Sequence, residues 1–219
     1  MSFICFNGVN KSFGKNKIIS SASFSIEKGE ICGFIGRNGS GKTVIFKLIS
    51  GLIKPDSGTI IIDGTDYTKK GEFFNSLGVM IETPGFIPYY SGLKNLKILN
   101  AISENAVPIG EICGLMERLG LNPKDKNAVS TYSLGMRQKL GIIQAVMNKP
   151  SLLILDEPMN SLDTESVAEI RKLLSELNRA GTTIAMASHI SEDIDCLCTR
   201  IFCIENGVVT ESKSMVKSR

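Results

Sequence analysis

The chain has 219 residues, 42% of them hydrophobic and 21% charged, which excludes disordered and fibrous classes and leaves enough apolar material for an ordinary core. That length exceeds a usual domain of about 100–150 residues but falls short of two comfortable ones, so one elaborated domain is expected. Lys plus Arg at 25 against Asp plus Glu at 22 leaves a net charge of +3, too mild a field for a general coat on a polyanion, and no nucleic-acid partner is expected.

Residues 2–9, 18–26 and 58–63 are apolar or β-branched runs punctuated by glycine and turn residues, and they predict antiparallel strands. Residues 31–35, 152–156 and 183–188 are nearly continuous apolar runs, the pattern of parallel strands covered on both faces. Helices are predicted at 42–50, in the 92–105 region, and at 110–120, 134–147 and 164–179, the last opened by Asp163-Thr164-Glu165. The helix-rich middle falls between parts of the sheet, which predicts an α/β core carrying a helical insertion. Pro84, Gly85, Pro88 and Gly92 mark the start of that insertion as a loop and hinge. The tail, 212–219, reads as a solvated terminus.

A membrane-spanning helix needs about 20 largely apolar residues, and runs such as 152–155 are far shorter. The first residues lack the basic and long apolar regions of a secretory signal. Six scattered cysteines form no C-x-x-C pair and read as reduced core residues of a cytosolic protein.

Gly36-Arg37-Asn38-Gly39-Ser40-Gly41-Lys42-Thr43 fits G-x-x-x-x-G-K-[ST], following a buried strand and opening an amphipathic helix, which is the context that motif requires. The glycines let backbone N–H groups converge on a phosphate chain, and the helix N-terminus adds partial positive charge. Lys42 supplies a full charge for the β- and γ-phosphates and Thr43 a hydroxyl for Mg²⁺. The apolar strand 152–155 ends in Asp156 and Glu157; Asp156 is suited to the Mg²⁺ shell, and Glu157 to polarising the attacking water. His189, the only histidine in the chain, follows a third core strand on the edge where ligands collect, positioned for the γ-phosphate or for holding Glu157.

These segments, together with Tyr132-Ser133-Leu134-Gly135-Met136-Arg137-Gln138 and Asn160-Ser161-Leu162-Asp163, resemble the ATPase subunit of ATP-binding cassette (ABC) transporters over essentially the whole chain and in the same order. The resemblance implies a P-loop NTPase core, mainly a parallel sheet, with an N-terminal antiparallel β subdomain and an inserted α-helical subdomain. The core would comprise 1–83 and 150–219, and the helical signature subdomain 84–149. It implies ATP and Mg²⁺ as ligands. Glu157, His189, Glu82 and Lys42 would be the catalytic set, and Thr43, Glu82 and Asp156 would face the metal. Nucleotide contacts would come from Gly36, Arg37, Asn38, Gly39, Ser40, Gly41, Lys42, Thr43 and the following Val44, with Phe13 stacked on adenine. Ser133, Gly135 and the inter-subunit loop residue Asp163 would close over the nucleotide of a second copy paired head to tail.

Three positions depart from the usual pattern: Glu82 stands where a glutamine is common, and Leu134 and Met136 replace the first glycine and the glutamine of the signature segment. With Glu82, the segment 133–138 is most similar to the branch serving export of, or immunity against, peptide antibiotics such as bacitracin and lantibiotics. The transport path would then belong to a separate integral membrane permease, docking on 82–92 with Phe86, Tyr89 and Tyr90 as anchors. The chain would sit in the cytoplasm, peripheral to the inner face of the membrane and touching it only through that permease. The alternative is a soluble cassette ATPase acting on nucleic acid or ribosomes, but 43–133 leaves room only for a compact helical insertion, without the long coiled coil of DNA-repair members.

Overall fold

A computed structural model describes residues 2–70 and 74–212, the side chains of Lys69 and Lys70 excepted. In chain order its elements are β1 (Ser2–Phe13), β2 (Asn16–Glu27), β3 (Ile31–Ile35), α1 (Lys42–Ile49), β4 (Ser57–Ile62), β5 (Thr65–Asp66), α2 (Tyr67–Lys70), β6 (Leu77–Met80), α3 (Gly92–Ala101), α4 (Ile109–Arg118), α5 (Leu134–Val146), β7 (Leu152–Asp156), α6 (Thr164–Arg179), β8 (Thr183–Ala187), α7 (Ser191–Leu197), β9 (Arg200–Glu205) and β10 (Val208–Ser212). They form an antiparallel sheet in the order β2-β1-β4-β5 and a larger sheet in the order β10-β9-β3-β8-β7-β6. In the larger sheet every neighbouring pair is parallel except β9 with β10.

The continuous apolar runs are explained by what covers each face. Along β7, Leu152 and Ile154 join one hydrophobic cluster while Leu153 and Leu155 join another, and β8 divides its residues in the same way. Side chains alternate across a strand, so a strand with a core on each side needs apolar residues at every position. One cluster lies between the two sheets and α1, with Phe24, Phe34 and Phe202 in mutual ring contact and Phe46 against Phe34. The other gathers the helices of the 92–147 region and α6 against the opposite face.

The second predicted helix stretch, 92–105, is shorter than its sequence suggests. α3 stops at Ala101 because Asn100 turns the chain back, its amide bonding both the N–H and the carbonyl of Val107 at 2.9 Å. The loop ahead of α3 is also tied down: buried Asn95 accepts from Ile87 N–H at 2.7 Å and donates to the carbonyls of Ile87 and Ser91 at 3.1 Å. Strands β9 and β10 and the short α7 were not foreseen. Most of the tail read as a solvated terminus, residues 213–219, lies outside the described residues.

Candidate functional site

At the end of β3 the chain must pass β9 closely: a Cβ at Gly36 would lie 2.5 Å from the Ile204 carbonyl oxygen, so only glycine fits. Gly41, with φ +112°, caps α1 without a side-chain hydrogen bond, leaving amides of the first helical turn available to an anion. Lys42 is only 7% exposed, and its ammonium donates to the carbonyls of Gly36 at 2.8 Å and Arg37 at 3.3 Å. Ser40 Oγ is buried inside the loop with no hydrogen-bond partner, an orphan that a phosphate oxygen would satisfy.

Asp156 continues the even-numbered face of β7, the face that packs toward α1. Its carboxylate accepts from Thr43 Oγ1 at 2.6 Å. Burial raises the Asp156 pKa from its ordinary value; the Thr43 hydrogen bond opposes this and neighbouring Glu157 adds to it. Glu157 leaves the strand in the left-handed region at φ +52°. Its Oε2 stands 2.7 Å from His189 Nδ1 and 3.3 Å from the His189 N–H.

Lys42, Thr43, Asp156 and Glu157 share one cleft of about 640 Å³ whose lining also includes Phe13, Gly39, Val44 and Glu82, while His189 meets it only through Glu157. Arg37, Asn38 and Ser40 line an adjoining cavity of about 700 Å³ on the other side of the loop. Phe13 is half exposed at the tip of β1 with Lys11 Nζ 5.5 Å from its ring centre, so a flat face remains for stacking. Glu82, also left-handed at φ +57°, reaches the cleft, but its carboxylate pairs with Lys47 Nζ at 2.6 Å.

The donor set suits a hard cation. Thr43 and Asp156 offer oxygens, and among the described residues no cluster of three or more His, Cys, Asp or Glu could hold a metal alone. Mg²⁺ commonly takes one or two carboxylates with phosphate oxygens and waters rather than an all-protein cage.

Ser133, Gly135 and Asp163 do not line this cleft. Ser133 caps α5 by accepting from Met136 N–H at 3.2 Å, and Asp163 caps α6 by accepting from Ser166 N–H at 2.8 Å, a bond that holds its pKa down. The cleft also contains Gln138, Asn160 and Ser161, to which the sequence attached no individual roles. Of the three aromatics read as anchors, Tyr89 is exposed, Phe86 packs partly against the helical core, and Tyr90 has Lys94 Nζ 3.5 Å from its ring centre.

The family profile described as ABC transporter matches residues 19–160. The chain is 37% identical to the bacitracin transport ATP-binding protein BcrA of Enterococcus faecalis over 93% of its own length and 66% of that protein's. It is 34% identical to the lantibiotic transport ATP-binding protein SrtF of Streptococcus pyogenes, over 94% and 88% of the two lengths. Its fold matches a dimeric ATP-binding cassette in a post-hydrolysis state bound to ADP and Pi, at TM-score 0.86 and 22% identity, covering 99% of this chain and all of that one.

Proposed function

Because the chain belongs to the ABC transporter family, as its ATP-binding and ATP-hydrolysing subunit, we propose a specific division of labour among its residues. Lys42 and the amides of the Gly36–Thr43 loop hold the phosphates, and Phe13 stacks on the adenine. Mg²⁺ would be held by Thr43 and Asp156, with Glu82 within reach, and would supply charge neutralisation across the phosphate oxygens. Glu157 accepts a hydrogen bond from the attacking water and takes its proton as the γ-phosphoryl bond breaks. His189, at the 2.7 Å contact, holds that carboxylate in register. This contact carries the reading, since it joins the chain's one histidine to a carboxylate that lines the cleft directly after β7.

Two copies pair head to tail around two ATP. Ser133, Gly135 and Asp163 are not in the lining of their own subunit's cleft, although Leu134 is; these three close over the nucleotide of the second copy. Loss of the γ-phosphate lets the copies part, and the movement is passed to a separate membrane permease at 82–92, where Tyr89 presents 72% of its surface. The helical part, 84–149, is the element that turns against the core formed by 1–83 and 150–219. Among the described residues no helix is long and apolar enough to cross a membrane, in keeping with peripheral attachment on the cytoplasmic face. The likeness to bacitracin and lantibiotic transport proteins supports a peptide antibiotic as the cargo, in export or immunity.

The test is Glu157→Gln, which keeps the shape and removes the base. With ATP it is expected to run as a dimer in gel filtration with light scattering, and without ATP as a monomer; a monomer in both conditions would overturn the paired site.

A further inference from the structure

The turn that carries Glu157 is held from outside its own strand. Gln138 Nε2, on α5, lies 3.0 Å from the carbonyl oxygen of Glu157 and 3.0 Å from that of Pro158, and a side-chain amide has one N–H for each. Both Glu157 and Ser161 in this turn are left-handed, at φ +52° and +63°. Non-glycine residues keep that conformation when their surroundings over-determine it. Glu157 N–H donates to the Ala187 carbonyl on β8 at 3.1 Å, and within the turn Asn160 N–H donates to the Glu157 carbonyl at 3.3 Å. Gln138 adds the restraint from the helical side.

It is part of a larger brace. One turn earlier on α5, Gly135 packs so near the same turn that a Cβ there would meet the Ser161 carbonyl oxygen at 2.9 Å. One residue later, Lys139 Nζ is 3.8 Å from Asp163 Oδ2. Positions 135, 138 and 139 share a helix face, so one face of α5 supports the whole turn from 157 to 163.

We propose that Gln138 is a positioning residue for Glu157, an inference that rests on Glu157 being the catalytic carboxylate. By fastening two consecutive carbonyls, Gln138 holds the left-handed backbone that aims the Glu157 side chain at His189 and the cleft. Without the amide donors, the turn is free to relax toward ordinary φ, and the carboxylate leaves its line with the water while the phosphate loop, on the far side of the cleft, is untouched.

Gln138→Glu keeps the size and removes both donors; Gln138→Met removes them without adding charge. Steady-state ATPase rates across ATP concentration are measured for each, alongside Glu157→Gln, with fluorescent-ATP affinity and thermal unfolding as controls. The expected result is a fall in kcat of about ten-fold or more in both variants, with KM and ATP affinity within two-fold of the parent. A kcat within two-fold of the parent in both variants overturns the proposal. So does a loss of ATP affinity as large as the loss of kcat, which would mark a general structural role. If Glu157→Gln itself turns over at the parental rate, the reading of Glu157 has failed rather than that of Gln138 alone.

Discussion

Lys47 in the last turn of α1 and Glu82 in the loop after β6 form an ion pair with Nζ and Oε1 2.6 Å apart. The pair joins the helix that begins at the phosphate loop to the segment leading into the helical region. Glu82 contributes to raising the Asp156 pKa through its charge, so it is close enough to be felt at the carboxylate proposed to face the metal, and Lys47 offsets part of that charge.

Freeing or removing the Glu82 carboxylate should therefore move the metal dependence in opposite directions. Lys47→Met is expected to lower the free Mg²⁺ needed for half-maximal ATPase, and Glu82→Gln to raise it. Exposed pairs are worth about 0.2–1 kcal/mol, so each shift should be roughly 1.4- to five-fold. Titrating ATPase activity against free Mg²⁺ checks this, and unchanged curves for both variants would make Glu82 a loop residue only.

Removing the buried ammonium should abolish nucleotide binding. Lys42→Ala deletes the charge proposed to face the phosphates along with the two bonds to Gly36 and Arg37 that curl the loop. Charge-assisted hydrogen bonds are worth about 1.5–3 kcal/mol each, so two equivalent contacts to phosphate correspond to a loss of affinity of about 100-fold or more. Fluorescent-nucleotide titration measures it, and an unchanged Kd would contradict the assignment of the loop.

Asp156 should trade stability for chemistry. Its folded-state pKa is raised, chiefly by burial, so the folded protein holds this proton more tightly than the unfolded chain. The charged form thus costs stability, a cost absent below the unfolded pKa of about 3.9, growing as pH rises to the folded value and constant above it. Asp156→Asn keeps the oxygen that accepts from Thr43 and removes the charge. The variant is expected to melt at a higher temperature than the parent at pH 7, to lose that advantage toward pH 4, and to lack ATPase activity. Differential scanning calorimetry across pH decides it; an equal or lower Tm at pH 7 would refute the sign.

Behind His189 lies a buried charge. Asp193 is fully buried, accepts from Ser188 Oγ at 2.9 Å, and is paired with Arg171 of α6 at 2.5 Å. Taking away one partner of a buried pair leaves an uncompensated charge at a cost of about 3–5 kcal/mol. Arg171→Met should accordingly lower Tm by roughly 6–12 °C for about 3 kcal/mol in a chain of this size. Adding Asp193→Leu should recover much of the loss, because the stranded charge is gone. Thermal unfolding of the single and double variants tests both halves.

Much of the proposed site could be read along the chain because its signals are local. A phosphate loop needs glycines, a lysine and a helix start within eight consecutive residues, Gly36 to Thr43, and a strand with a core on each face needs an unbroken apolar run. Chain order alone brought the ends of β3, β7 and β8 to one sheet edge, since parallel strands place their C-terminal ends together. The resemblance of 132–138 and 160–163 to a known family supplied Ser133, Gly135 and Asp163.

What the tertiary structure decided depends on residues far apart in sequence. Glutamate carries no local preference for a left-handed backbone, so nothing in the sequence marks Glu157 or Glu82 as turning there; the surrounding contacts impose it. Gln138 meets Glu157 across 19 residues, Lys47 meets Glu82 across 35, and Arg171 meets Asp193 across 22. Residue spacing names the groups proposed to react in this protein, because those groups belong to short motifs. Only the folded chain sets the angle and charge at which they stand, because hydrogen bonds and ion pairs act at contact distance and folding alone brings such partners into contact.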